Sequence, residues 1–400
     1  MLHGALSTTA PDGAQTDAPP RRVLMTVDAV GGVWRYAVDA ARGLNARGIA
    51  VSLVGLGPAP LDRHRAEVAA LADATLDWLD APLDWMVSGE QFLARLPSRI
   101  GDIAARTGAD LVHLNVPSQA ADLALPCPMV TIAHSCVATW WRAVRGTALP
   151  RGWAWQTDRT RAGLLAADAV MAPSQAHAAA VEAAYGLVPN LHVVPNAAMP
   201  HDGPTAGKEP FVFAAGRWWD DGKNARTLDG AAVMTRWPVR MAGGLEGPNG
   251  ERAMILHAEA MGELPAGAVR SLMSRAAIVA SPSVYEPFGL SVLEAALSGA
   301  ALVLSDIPTY RELWDGAALF ATADDPAAHA VAINRLAADE RLRADLGRRA
   351  KAVAGTYTVD RQVESLLGVY RAAARTAADR RVTGDGARAA AEPMLAPAAE

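Results

Sequence analysis

Residues 281–295 read SPSVYEPFGLSVLEA, and the fold is decided by what that stretch does to the chain. The apolar run Ala276–Ala280 before it has the small and β-branched composition of a short buried strand. Phe288-Gly289-Leu290 turns the chain, and Ser291 to Leu297 continues as a helix stopped at Gly299. Glu286 therefore falls on the loop at the carboxyl edge of a sheet, and Glu294, eight positions on, one turn into the helix. Unpaired amides and a partial positive charge make a helix start favourable for phosphate. Carboxylates are unsuited to holding phosphate but accept hydrogen bonds from hydroxyls, two from a vicinal diol. Phosphate beside diols implies a nucleotide sugar. A second reading stands beside it: Ser291-x-x-Glu294 matches a capping box, in which the glutamate only closes the helix.

Strands and helices alternate on both sides of this stretch, which predicts an α/β protein built from parallel sheets covered by helices. Val23–Val27 reads as a strand, Gly31-Gly32 as a turn, and Val33 to Ala46 as a helix. Its apolar face carries Val33, Tyr36, Ala37, Ala40 and Leu44. Further strands are expected at Ala50–Leu56, Leu111–Leu114, Val130–Ala133, Ala169–Ala172 and His192–Val194. The Pro/Gly-rich stretch Pro200–Pro210 reads as a linker. A second alternation follows, with strands at Phe211–Ala215, Val239–Ala242, Met254–His257, Ala276–Ala280, Leu302–Leu304 and Ala318–Phe320. The expected layout is two doubly wound, Rossmann-like domains, residues 21–199 and 200–358, facing a central cleft. Residues 1–20 and 376–400, rich in Ala and irregular in pattern, read as disordered tails.

Four hundred residues suffice for two such cores. With 51% apolar residues and a net charge of −5, the bulk is globular and nucleic acid is not an expected partner. Cys127 and Cys136 have neither metal nor redox spacing and read as free thiols in a reducing cytosol. No signal peptide or membrane-spanning run is visible, so the expected location is cytoplasmic. Asp-x-Asp pairs and cysteine/histidine clusters are missing too, so no metal site is expected.

Other segments have the chemistry for such a ligand. Gly31 and Gly32 open a helix and let backbone approach a ligand closely, or simply form a tight turn. Arg217 and Lys223 sit where a strand passes to a helix and suit a diphosphate clamp, or form a solvated pair with Asp220 and Asp221. His134 closes a strand at a carboxyl edge, placed to touch a sugar or to serve structure alone. Between Trp140 and Arg161, four tryptophans and five arginines occur with one acid, Asp158. That composition suits sugar stacking, packing, or peripheral contact with an anionic membrane through Trp140, Trp141, Arg142 and Arg145.

Over residues 21 to 375 these segments resemble the retaining GT-B glycosyltransferases of family 4. Glu286 to Glu294 looks like that family's E-x7-E motif, and Ile307-Pro308-x-x-Arg311-Glu312 to Phe320 looks like its downstream stretch. Pro287 stands where many members carry glycine. The resemblance implies transfer of a sugar from a nucleoside-diphosphate donor, UDP- or GDP-linked, to a hydroxyl acceptor with retention. The acceptor would be a carbohydrate, a lipid-linked molecule or a small molecule, and no cofactor is required. It assigns donor-sugar hydroxyls to Glu286, the ribose to Glu294, and the diphosphate to Arg217 and Lys223, aided by the amides of Phe288, Gly289 and Leu290. Gly31 and Gly32 would approach the donor from the other domain, and His134 would line the reaction centre. A last helix, expected over 359–375, would cross back to the first domain. Base recognition is expected on the loops Gly243–Glu251 and Gly262–Leu264. A same-fold epimerase and a non-catalytic nucleotide-sugar sensor are the alternatives.

Overall fold

The computed structural model describes residues 18–199 and 207–383. Most of the expected linker, and the first and last segments of the chain, lie outside the described residues. The first sheet contains β1 (Arg22–Asp28), β2 (Ala50–Leu56), β3 (Ala74–Trp78), β4 (Leu111–Leu114), β5 (Met129–Ile132), β6 (Ala169–Ala172) and β7 (Leu191–Val193). The second contains β8 (Glu209–Ala215), β9 (Val239–Ala242), β10 (Glu259–Gly262), β11 (Ala276–Ser281), β12 (Ala301–Ser305) and β13 (Ala318–Ala321). Every pairing within both is parallel.

Parallel strands are covered by helices on both faces, so their side chains are mostly apolar along the whole strand. β2 is buried along its whole length, and β4, β5, β6 and β12 likewise. The order is β3-β2-β1-β4-β5-β6-β7 in one sheet and β10-β9-β8-β11-β12-β13 in the other. Strand order therefore reverses beside β1 in the first and beside β8 in the second. A crevice opens at the carboxyl end of each reversal, the place where ligands bind in such sheets.

Two expectations need correction. Met254–His257 is not a strand: Met254 and Leu256 are 76% and 71% exposed, and the pairing strand is β10. The loop is shaped instead by Asp229, whose carboxylate accepts the amides of Leu256, His257 and Ala258 at 2.8–3.1 Å. The last helix runs Val359–Thr383, so residues 376–383 belong to it rather than to a tail.

That helix does cross back. Val363, Leu366, Val369, Tyr370 and Ala373 are buried in the core of the first domain. Each large one contributes about 1.5–3 kcal/mol by burial. A Cβ on Gly43 would come 2.5 Å from Val363 Cγ2, so only glycine lets the helix Gly32–Asn45 approach this closely. Tyr370 meets His113 Nδ1 at 2.8 Å beneath the sheet, and burial lowers that imidazole to about 3. Farther along, Arg380 reaches the buried carboxylate of Asp168 at 2.7 Å, and Asp168 also accepts the Met129 amide.

Arg380→Ala should cost about 1–3 kcal/mol in denaturant unfolding, less than a fully buried pair because the arginine is partly exposed. Stability should also fall in acid. His113 is held neutral, so its contribution is complete above pH about 6.5 and is lost as pH drops toward its folded value. A flat melting temperature from pH 7 to 4 would contradict this.

Candidate active site

The second domain's crevice is assembled from the loops after β8 and β11. Gly216 continues β8, its amide bonded to the Ala242 carbonyl, and Arg217 follows. Asp220 then accepts the Gly222 amide at 2.9 Å, setting the short turn Asp221–Lys223. Asn224, in the left-handed region at φ 55°, ties this loop to its neighbours. Its amide donates to the carbonyls of Pro282 and Ala323 at 3.1 and 2.9 Å. Val284 also donates its amide to Gly222 O at 3.0 Å. With both loops tied together, Lys223 Nζ lies 2.5 Å from Glu286 Oε2, both side chains largely screened from water.

Gly289 closes the turn at φ +92°, where any Cβ would be strained and would sit 3.1 Å from Tyr310 and 3.4 Å from Glu286 Cγ. The helix begins at Leu290 with Gly289 as its N-cap and no side-chain cap bond. Ser291 thus lies inside the helix, which removes the capping-box reading. Glu294 is half-buried and accepts no hydrogen bond from the described residues. Burial raises its carboxyl above the usual range, against the pull of Arg35 and Arg270. Phe288 is buried in the second core against Tyr357.

Across the cleft, the first domain presents the loop after β1. Gly31 adopts an extended conformation that any residue can take, so its constraint is space. A Cβ there would lie 2.7 Å from Arg217 Nη1, and one on Gly32 would lie 3.3 Å from Leu290 Cδ1. Asp28 braces this loop by accepting the Val30 amide at 2.9 Å, and burial raises its carboxyl despite nearby Arg217. His134 follows β5. Its Nε2 lies 2.9 Å from Asn115 Oδ1, and its ring meets Tyr36 edge-on at 4.4 Å. Burial depresses its ionisation to about 3, so the imidazole is neutral.

The domains also meet along a polar seam. Ser174 Oγ donates to the Pro287 carbonyl at 2.7 Å and accepts the His177 amide, capping the helix Gln175–Tyr185. Glu312 receives the first two amides of that helix, from Gln175 and Ala176, at 2.9 and 2.7 Å. Tyr285 OH meets Ser135 and Thr139 at 3.1 and 2.8 Å. Backbone around Glu286 is thus held from both domains. Ser174, Tyr285, Tyr310, Asn115 and Asn224 escaped the sequence reading, because lone polar residues carry no spacing signal.

The tryptophan/arginine segment is not one surface. Trp155 packs against the first domain, while Arg159, 4% exposed, pairs with Glu90 and Asp122. Trp140 Nε1 donates to Asp220 at 2.8 Å, and Arg145 stacks on Trp140 while reaching Asp221 at 2.6 Å. Trp141 donates to Thr147 and Arg142 to the Ala183 carbonyl. These contacts support the packing reading for Trp140 and Arg145, which join the domain seam. No described helix is long and apolar enough to cross a membrane.

Known proteins show the same architecture. Family models match twice: Glycosyltransferase Family 4 over residues 30–199, and Glycosyl transferases group 1 over residues 237–353. The chain belongs to the family 4 glycosyltransferases, built on the two-domain GT-B fold. A curated relative, the D-inositol 3-phosphate glycosyltransferase of Acidothermus cellulolyticus, is 40% identical over 112 residues. That match spans 27% of this chain and 25% of the relative. Sucrose-phosphate synthase from Thermosynechococcus elongatus superposes with a TM-score of 0.67 at 16% identity, covering 88% of this chain and 98% of the other. HepE from Anabaena, solved with UDP-glucose, gives 0.66 at 17% identity, covering 87% and 99%.

Glu312→Ala should weaken closure by removing two charge-assisted hydrogen bonds. A loss of about 1.4 kcal/mol would appear as a tenfold higher donor KM. Small-angle scattering should show a larger mean radius. An unchanged profile together with an unchanged KM would contradict the seam's role.

Proposed function

We propose that this glycosyltransferase moves a sugar from a nucleoside-diphosphate donor to a hydroxyl acceptor with retention of anomeric configuration. The observation that carries the reading is the Lys223–Glu286 pair, set in the second domain's crevice with Arg217 reaching across to Gly31. An entering donor would trade this pair for complementary contacts. Its diphosphate would take Lys223 and Arg217, and its sugar hydroxyls would take Glu286. Glu294, which accepts no hydrogen bond from the described residues, would accept the ribose hydroxyls. The amides at the start of the helix Leu290–Leu297 would add to the phosphate field. Two side-chain cations with these amides meet the leaving group's charge, so transfer would proceed without a divalent ion.

Retention then follows by departure and attack on one face. The bond to the leaving diphosphate breaks toward Arg217 and Lys223 through an oxocarbenium-like state. The acceptor hydroxyl attacks the same face and passes its proton to a leaving phosphate oxygen. Asp28, a first-domain carboxylate close enough to Arg217 to feel its charge, is committed to the Val30 amide, which disfavours it as a covalent nucleophile. Donor and acceptor would meet in the cytoplasm.

Glu286→Gln and Lys223→Ala should each lower kcat/KM by about 10²–10³-fold, the usual cost of one group that stabilises developing charge. Both variants should still fold, with a lowered melting temperature because each leaves one charge of the screened pair unpartnered. Wild-type rates in both would remove these residues from the site. Rapid-quench single turnover should reveal no glycosylated protein, and a covalent burst would overturn the same-face route.

A further inference from the structure

We propose that Asn115 is a positioning residue that fixes His134 as a neutral hydrogen-bond acceptor facing the sugar, an inference that rests on the donor site proposed above. The argument begins with Thr26 in β1. Asn115 Nδ2 lies 2.5 Å from the Thr26 carbonyl, which can only accept, so the amide nitrogen must face it. Exchanging the two ends of the amide would set oxygen against oxygen. The asparagine is further held because its backbone amide donates to Thr26 Oγ1 at 2.8 Å, and that hydroxyl donates to Gln119 at 2.7 Å. All these groups are buried.

Asn115 Oδ1 is therefore the atom that meets His134 Nε2 at 2.9 Å, and an oxygen without hydrogen can only accept. Nε2 must carry the ring's proton. The neutral ring then has its lone pair on Nδ1, which bonds no described residue and is not among the enclosed polar atoms. Tyr36, His113 and His177, the titratable groups around the ring, are themselves held neutral by burial. A ligand group that meets Nδ1 has to donate, as a sugar hydroxyl does. A carboxylate or phosphate oxygen placed there would face a lone pair. The pair Asn115–His134 thus discriminates for hydroxyls on the first-domain side of the cleft.

Nitrogen NMR of the histidine-labelled, full-length protein tests this directly, with the His134 signals assigned by their loss in His134→Gln. The expected spectrum at pH 7 is a neutral ring protonated on Nε2. A ring protonated on Nδ1, or an imidazolium, would overturn the proposal whether or not the chain transfers sugar. The kinetic arm uses Asn115→Ala, expected to lower kcat about tenfold or more while donor KM stays within twofold. Unchanged tautomer and turnover in Asn115→Ala would also overturn it, and if that variant fails to fold, the spectrum of the unaltered protein decides.

Discussion

A lysine ammonium and a glutamate carboxylate in contact, each largely withdrawn from water, set the terms on which anything enters this cleft. Such a pair cannot simply be parted, because each charge left alone in a poorly solvated crevice is costly. A ligand that separates Lys223 from Glu286 has to satisfy both at once, with an anion for one and hydroxyl donors for the other. Few molecules place those groups a bond or two apart. The surrounding structure serves this juxtaposition: Asn224 ties the two loops, Gly289 permits the turn, and Tyr310 packs beneath it.

The second domain does not hold this arrangement unaided. Ser174 and Glu312 join the domains on either side of the Glu286 loop, and Trp140 and Arg145 join them beside Lys223. Arg217 lies so close to Gly31 that a methyl group would collide with it. The returning helix adds a third tie, since it belongs by sequence to the end of the second domain and by packing to the core of the first. Closure and site geometry are consequently one mechanical problem.

Much of this was legible because parallel sheets demand mostly apolar runs, and β1, β2, β4 and β12 supply them. β3, Ala74–Trp78, was missed since it lies at an edge and is nowhere fully buried. Met254–His257 misled because apolar residues there face solvent, the loop being shaped by Asp229, far away in sequence. Glu286, Glu294, Arg217 and Lys223 were visible as charges at strand ends, where side chains of that type stand out. Asn115, Ser174 and Tyr310 were not, because their roles depend on partners tens to more than a hundred residues away. The aromatic and basic segment after His134 drew the eye by composition, yet its members divide among a core, a buried arginine held by exposed carboxylates, and a seam.

A crystal structure with a nucleoside-diphosphate sugar would test the central claim most directly. The account predicts the diphosphate between Arg217 and Lys223, the sugar hydroxyls on Glu286, and the 2.5 Å Lys223–Glu286 contact opened to admit them. A nucleotide bound elsewhere, with that contact undisturbed, would contradict it.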